Sequence, residues 1–114
     1  MSDRAKRIAA LNDALRHDSG TGEHGRIMMT RGVSDLGIPF TMQALAKLKA
    51  FESFTKDNDP YGEHDFGSFD LGGHTLFWKI DYFEKDTGYM AGAETPENPA
   101  STDRVLTIML AEEY

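Results

Sequence analysis

Apolar and polar residues alternate most clearly on either side of the pair Gly72-Gly73. The segments Phe66–Leu71 and His74–Phe83 flank this pair. Alternation of this kind places one face of a strand in the core, and a two-residue glycine loop can adopt the positive φ angles of a type I′ turn. The pattern therefore predicts a β-hairpin. The residues of its second strand that we expect to face the core are Leu76, Trp78, Ile80 and Tyr82.

Two segments in the first half of the chain have helical spacing instead. Residues 3–16 predict one helix, and Ser2 is suited to cap its N-terminus. A second helix is predicted from Pro39, whose missing N–H is not needed in a first turn, to about Phe54. The apolar side chains expected on the buried sides of the two helices are Ile8, Leu11 and Leu15, and Met42, Leu45, Leu48 and Phe51.

Two more segments have strand character. Arg26–Arg31 follows a predicted loop at His17–Gly25, and Arg104–Tyr114 fits either a strand or a helix face. We favour a third antiparallel strand for Arg104–Tyr114, because the hairpin needs a partner. The sequence thus predicts a single α+β domain over residues 1–114. Its architecture would be a small antiparallel sheet of three or four strands around the central Gly-Gly hairpin, with two helices packed on one face.

The densest group of titratable residues lies between the second helix and the hairpin, in the run TKDNDPYGEHDFG. We call residues 55–65 the acidic loop. Pro60 and Gly62 restrict the backbone around an aromatic residue in this loop, and such a residue can anchor a partner at low entropic cost. The candidate binding residues are Asp57, Asp59, Tyr61, Glu63, His64 and Asp65.

The acidic loop matches a calcium-binding loop only in part. Asp57, Asp59 and Gly62 fit positions one, three and six, but Tyr61 at position five and Ser68 at position twelve do not. We therefore predict no metal site and no cofactor. One alternative is a tight loop whose Asp and Asn side chains cap the preceding helix and the turn.

A second alternative is a metal-dependent or acid–base enzyme centred on this loop. Neighbouring carboxylates raise one another's pKa, which is how acid–base pairs arise. The residues that would supply such chemistry are His64, Glu63, Asp65 and Asp81. No nucleophile lies in a recognisable motif, so we assign no catalytic residue and favour a non-enzymatic function.

The net charge of −7 is distributed unevenly. Residues 1–56 carry nine Lys and Arg against six acids, and residues 57–114 carry thirteen acids against three Lys and Arg. Such asymmetry can signal a partner of opposite charge. The alternative, which the charges alone favour, is that the two halves fold against each other and solvate one surface. We expect a macromolecular interaction module that binds a protein through the acidic loop and the hairpin surface. An alternative is a DNA-mimic inhibitor of a nucleic-acid-binding protein. Direct nucleic-acid binding is not expected at a pI of about 4.9.

The chain contains no cysteine, so disulfides, thiolate nucleophiles and Cys-ligated zinc are excluded. No apolar segment resembles a signal peptide, and no apolar run approaches the roughly 20 residues of a membrane span. We therefore expect a cytoplasmic protein with no membrane association.

Three phrases of the sequence are distinctive: NDPYGEHDFGSF, FWKIDYF and RVLTIMLAEEY. With ALNDALR near the N-terminus, they make the chain resemble a family of small, uncharacterised, stand-alone proteobacterial proteins known only as a domain of unknown function. The resemblance implies a bacterial cytoplasmic setting and brings no activity, cofactor or catalytic residue with it.

Overall fold

A computed structural model describes residues 2–18 and 22–114, so part of the predicted loop at His17–Gly25 lies outside the described residues. The α+β class is confirmed. The elements in chain order are α1 (Asp3–Asp18), β1 (Arg26–Met29), α2 (Arg31–Ser34), α3 (Ile38–Ala50), β2 (Phe66–Leu71), β3 (His74–Glu84), β4 (Thr102–Leu110) and a 3₁₀ turn (Ala111–Glu113).

The strands form one four-stranded sheet in the order β1-β4-β3-β2. The predicted hairpin is confirmed: β2 and β3 are antiparallel, and Gly72 and Gly73 have φ angles of 57° and 82°, as a type I′ turn requires. Strand β4 pairs antiparallel with β3 from Leu76↔Leu110 to Glu84↔Thr102. The strand interpretation of the last segment is therefore right as far as Leu110.

The prediction of a wholly antiparallel sheet is wrong at one edge. Strand β1 runs parallel to β4, with a register from Arg26↔Val105 to Met29↔Ile108. A parallel pair requires a long crossover, and here the chain passes through α2, α3 and the hairpin before β4. Periodicity identifies a strand but not its neighbour. The predicted strand also ends early, because Arg31 begins α2.

The helices cover one face of the sheet, as predicted. The core combines the inward-facing residues of β3 and β4 with residues of α1, α2 and α3. Trp78 lies at its centre and is fully buried. The buried members of this cluster are Leu15, Val33, Ala44, Leu48, Phe51, Leu76, Trp78, Ile80, Leu106, Ile108 and Leu110.

The start of α1 agrees with the sequence, because Ser2 Oγ accepts a hydrogen bond of 3.0 Å from the Ala5 N–H. Helix α3 differs at its end: it stops at Ala50, and Phe51 is extended. Its buried side agrees with the prediction at Leu48 and Phe51, and Leu45 packs against the core. The exception is Met42, which is 64% exposed, while Ala44 is buried.

Candidate functional site

The acidic loop is held in shape by its own polar side chains. The Thr55 N–H donates to Asn58 Oδ1 at 2.9 Å, and Asn58 Nδ2 donates to the Ser53 carbonyl at 3.0 Å. The Asp59 N–H donates to the Thr55 carbonyl at 2.8 Å. These are the local side-chain-to-backbone bonds typical of Asx turns. They support the interpretation of the segment as a tight, capped loop.

Asp59 fixes the returning half of the loop. The residue is 8% exposed, and its Oδ1 accepts a hydrogen bond of 3.1 Å from the His64 N–H. Its Oδ2 lies 3.8 Å from His64 Nε2. His64 has a φ of 56°, a left-handed conformation that costs a non-glycine residue about 1–2 kcal/mol. The bonds to Asp59 therefore hold a backbone conformation that the chain would not adopt unaided.

The imidazole of His64 joins the loop to α1. Its Nδ1 lies 2.9 Å and 3.1 Å from the two carboxylate oxygens of Asp13. Because a carboxylate only accepts hydrogen bonds, Nδ1 carries a proton in this arrangement. The ring also stacks on Phe54, with centroids 3.9 Å apart and planes 3° from parallel. Helix α1, the segment that follows α3 and the acidic loop thus meet at one side chain.

Arg16 completes this junction. It is 2% exposed and donates through Nη2 to Asp13 Oδ1 at 2.8 Å. Its Nη1 donates to the carbonyls of Leu48 and Phe51 at 3.0 Å and 2.9 Å. The Leu48 carbonyl also accepts from the Phe51 N–H at 3.3 Å, so Arg16 adds to the bonds that end α3. Its guanidinium lies 5.3 Å from the centre of the Phe54 ring, within cation–π range.

We call Asp13, Arg16, Phe54, Asp59 and His64 the α1 clamp. Each of the five is joined to another member by a hydrogen bond, by ring stacking or by a cation–π contact. The acid–base alternative placed the His64 ring next to Glu63, Asp65 and Asp81. The ring nitrogens instead contact other carboxylates, those of Asp13 and Asp59.

A second polar network lies beside the α1 clamp. Asn12 is fully buried, and its Nδ2 donates to the Glu63 carbonyl at 3.0 Å and to Tyr82 Oη at 2.8 Å. Its Oδ1 accepts from Arg104 Nε at 3.0 Å. Arg104 is 2% exposed and also donates to the Pro96 carbonyl. Burial lowers the pKa of Arg104 and raises that of Tyr82.

Glu63 and Asp65 are the loop carboxyls with perturbed acidity. Burial raises the pKa of Glu63, and the charge of Asp65 raises it further. Burial is also the main cause of the raised pKa of Asp65. Both groups hold a proton more readily than free carboxyls. Their side chains are half-buried, so the effect is moderated by solvent.

The six predicted site residues do not converge on one point. Asp59 and His64 belong to the α1 clamp, Glu63 and Asp65 are half-buried, and Asp57 is exposed. Tyr61 is 76% exposed. In residues 2–18 and 22–114, no three His, Asp or Glu side chains are grouped so that they could hold one metal ion. A cleft of about 450 Å³ lies on this side of the molecule, lined by Phe54, Thr55, Lys56, Asp59, Pro60, Gly62 and His64.

Sequence reasoning missed the contribution of α1 to this site. Asn12 and Arg16 lie four and eight residues after Ile8, on the buried side of the helix. Polar residues at core positions of a helix usually have buried partners. That spacing was the available signal, but it does not identify partners that lie more than thirty residues away.

Within the described residues, no helix is both long enough and apolar enough to cross a bilayer. The fold is a small α+β domain with a mixed four-stranded sheet. The chain belongs to the family described as protein of unknown function (DUF3768), whose model matches residues 29–113. This confirms the resemblance, although α1 precedes the matched range. No curated protein and no solved structure matches the chain.

Proposed function

We propose that the protein is a non-enzymatic module that binds another protein through the outer side of the acidic loop. One observation carries the proposal. Tyr61 is 76% exposed at a point where the backbone beneath it is fixed, since the Gly62 N–H donates to the Asp59 carbonyl at 3.2 Å. A large aromatic side chain on a preorganised loop is typical of an interface anchor.

The surroundings of Tyr61 favour a basic partner. The cleft of about 450 Å³ beside it is lined by the Phe54 ring and by Pro60, which offer apolar surface, and its one cationic lining residue is Lys56, next in sequence to the exposed carboxylate of Asp57. From residue 57 to residue 78 the chain has five acids and no Lys or Arg. Carboxylates at an interface rim steer a cationic partner and make its association sensitive to salt.

The decisive experiment compares capture of partners by matched variants. Wild-type protein, Tyr61→Ala and Met90→Ala are immobilised and exposed to native lysate at low salt, and bound proteins are quantified by mass spectrometry. Met90 is 87% exposed on the loop between β3 and β4, so it controls for the loss of an exposed apolar side chain. We expect a partner whose recovery falls about 30-fold or more with Tyr61→Ala, the effect of a binding hot spot, and stays unchanged with Met90→Ala.

The role of charge is tested in the same assay with Asp57→Asn and, as its control, Glu112→Gln. Both carboxylates are exposed. Asp57→Asn should weaken the salt dependence of partner recovery, and Glu112→Gln should not. If no protein depends on Tyr61 for its recovery, the proposal is wrong.

The two alternative functions receive less support. The metal-dependent enzyme lacks a three-residue metal group within the described residues, and His64 directs both ring nitrogens toward carboxylates. The DNA-mimic alternative requires free carboxylates in regular rows. Several acids instead have internal partners, as in the Arg4–Glu97 and Lys79–Asp81 ion pairs. Loss of partner recovery in the presence of competing duplex DNA would restore that alternative.

A further inference from the structure

The outer edge of β2 is the most open hydrogen-bonding surface of the sheet. Strand β2 is the last strand in the order β1-β4-β3-β2. Residues of an antiparallel pair alternate between those that bond to the neighbour and those that do not. The Asp65 carbonyl accepts from the Ile80 N–H at 2.9 Å, so residues 67, 69 and 71 also bond toward β3. The backbone groups of Phe66, Ser68 and Asp70 therefore point away from the sheet.

In the part of the chain that the structure describes, these outward N–H and C=O groups have no hydrogen-bond partner. Ser68 and Asp70 are exposed, and Phe66 is half-buried. Unpaired backbone groups in a row are a template for an added strand. The opposite edge differs, since β1 has only four residues and begins with Arg26.

Proteins normally protect such an edge. The usual devices are lysine, proline, a bulge or a very short strand. Strand β2 has none of them: it has six residues, reads FGSFDL, and keeps an unbroken register with β3. Its one charge is Asp70, whose Oδ1 accepts from Thr75 Oγ1 at 2.8 Å. An edge strand without these devices is more consistent with a site for an added strand than with an edge protected against pairing.

Charge indicates what the edge would accept. Strand β2 continues directly from the acidic loop, and the five acids between residues 57 and 78 have no Lys or Arg among them. The next cation, Lys79, lies opposite Phe66 but is paired with Asp81 at 3.1 Å. Two copies of the chain paired through β2 would bring these acids together, which opposes self-pairing. A strand that carries Lys or Arg would meet charge of opposite sign.

We infer that the free edge of β2 accepts an extended, basic segment of a partner protein, which pairs with the outward groups of Phe66, Ser68 and Asp70. This inference rests on the proposed function and adds the form of the partner: a β-strand with cationic side chains. Backbone pairing would supply affinity. The alternate side chains of the added strand would lie beside Phe66 and Asp70 on the face of the sheet opposite α1 and α3, where Tyr114 already packs against Phe66.

The test uses the full chain and defined probes. The first probe is a blocked peptide of alternating lysine and valine. The second is the same peptide with alternate backbone nitrogens methylated, which keeps the charge but prevents pairing. The third replaces lysine with glutamate. We expect the first peptide to shift the amide NMR signals of Phe66, Ser68 and Asp70, and the second and third to bind at least about tenfold more weakly, as expected for strand addition.

Two variants test the edge itself. Ser68→Pro removes the outward N–H at a position where an edge strand tolerates proline, and it should weaken binding of the lysine peptide about tenfold. Ser68→Ala keeps the N–H and should bind as the wild type does. If Ser68→Pro fails to fold, the comparison between the lysine peptide and its methylated form still decides, because it needs only the wild-type protein.

Three results would overturn the inference. Equal binding of the methylated peptide would show attraction by charge alone. Equal binding of the glutamate peptide would remove the basic character of the partner. Self-association that Ser68→Pro abolishes, without binding of the lysine peptide, would make a second copy the occupant. Failure here is distinguishable from failure of the proposed function. A partner that depends on Tyr61 but is still captured by Ser68→Pro would refute only the edge pairing.

Discussion

The acidic loop has an inner side, whose polar residues are bonded within the protein, and an outer side, whose polar residues face solvent. On the inner side, Asp59 and His64 are bonded to each other and, through Asp13, to α1. On the outer side, Asp57 and Tyr61 face solvent. All four lie within eight residues of sequence. The comparison indicates that most residues of a titratable cluster can serve to fix the conformation of a loop. The residues available for binding are then the ones that these internal bonds leave exposed.

The largest expected effect is on the inner side, at Arg16. Arg16→Ala would leave Asp13 without its 2.8 Å partner and remove the bonds that the guanidinium donates to the Leu48 and Phe51 carbonyls, of which the Leu48 carbonyl still accepts from the Phe51 N–H. Removal of one partner from a buried, charged network costs about 3–5 kcal/mol. Chemical denaturation followed by circular dichroism should show this loss. Lys6→Ala, an exposed change on the same helix, should shift the free energy of unfolding by less than about 0.5 kcal/mol.

A second prediction separates the side chain of His64 from its backbone. His64→Ala should destabilise the fold by about 1–3 kcal/mol, because Asp13 loses the imidazole as a hydrogen-bond partner and Phe54 loses the ring stacked on it, while Asp59 keeps its bond to the backbone N–H. His64→Gly removes the same side chain but relieves the strain of a φ of 56°. Glycine should therefore be more stable than alanine at this position by about 1 kcal/mol. If alanine proved the more stable, the strained backbone at His64 would not be a feature of the protein in solution.

The third prediction concerns pH. The pKa values of Glu63 and Asp65 are raised in the folded state above their ordinary 4.5 and 3.8. The folded state then binds these protons more readily, so stability falls as the pH rises from those ordinary values through the raised ones. The variants Glu63→Gln and Asp65→Asn should melt at a higher temperature than the wild type at about pH 7. That advantage should shrink as the pH falls below the raised pKa values.

Glu113 provides the control of opposite sign. Its carboxylate accepts from Thr30 Oγ1 at 2.6 Å and from the Leu110 N–H at 2.8 Å, and these bonds lower its pKa. Its contribution to stability is therefore present above the ordinary pKa of 4.5 and is lost as the pH falls through the lowered value. Glu113→Gln should lower the melting temperature near neutral pH. Parallel pH profiles for Glu63→Gln and Glu113→Gln would contradict both assignments.

The smallest expected effect on stability is on the outer side. Tyr61→Ala should change the free energy of unfolding by less than about 0.5 kcal/mol, because the side chain is 76% exposed. The same variant should lose the captured partner. A large loss of stability would mean that Tyr61 belongs to the inner side, and the distinction between the two sides would fail.

The parts of the fold that were predictable depend on local signals. Alternation around Gly72-Gly73 predicted the hairpin, and Ser2 predicted the start of α1, because strand alternation and helix capping act over a few residues. The exposure of Met42 and the parallel pairing of β1 were not predictable in this way. Both depend on how distant elements are placed against each other.

The site was predictable only on its loop side. The acidic loop was recognisable from composition, and its capping by Asn58 follows from turn chemistry. The contact of His64 with Asp13 joins residues 51 positions apart, and Arg104 reaches Asn12 across 92 positions. No periodicity relates such pairs. They become neighbours only when α1 docks on the sheet.

Trp78 gives the molecule an optical property that follows from its position. It is the only tryptophan of the chain, it is fully buried, and its indole Nε1 has no hydrogen-bond partner within the described residues. It lies against Gly67 in β2, where an added Cβ atom would collide with Nε1. An excited indole that is shielded from water and held by fixed neighbours, including the Arg16 guanidinium 5.5 Å from its ring, relaxes little, so its fluorescence should be blue-shifted. A single emission band would thus report both unfolding of the core and events one strand away, at the edge of the sheet.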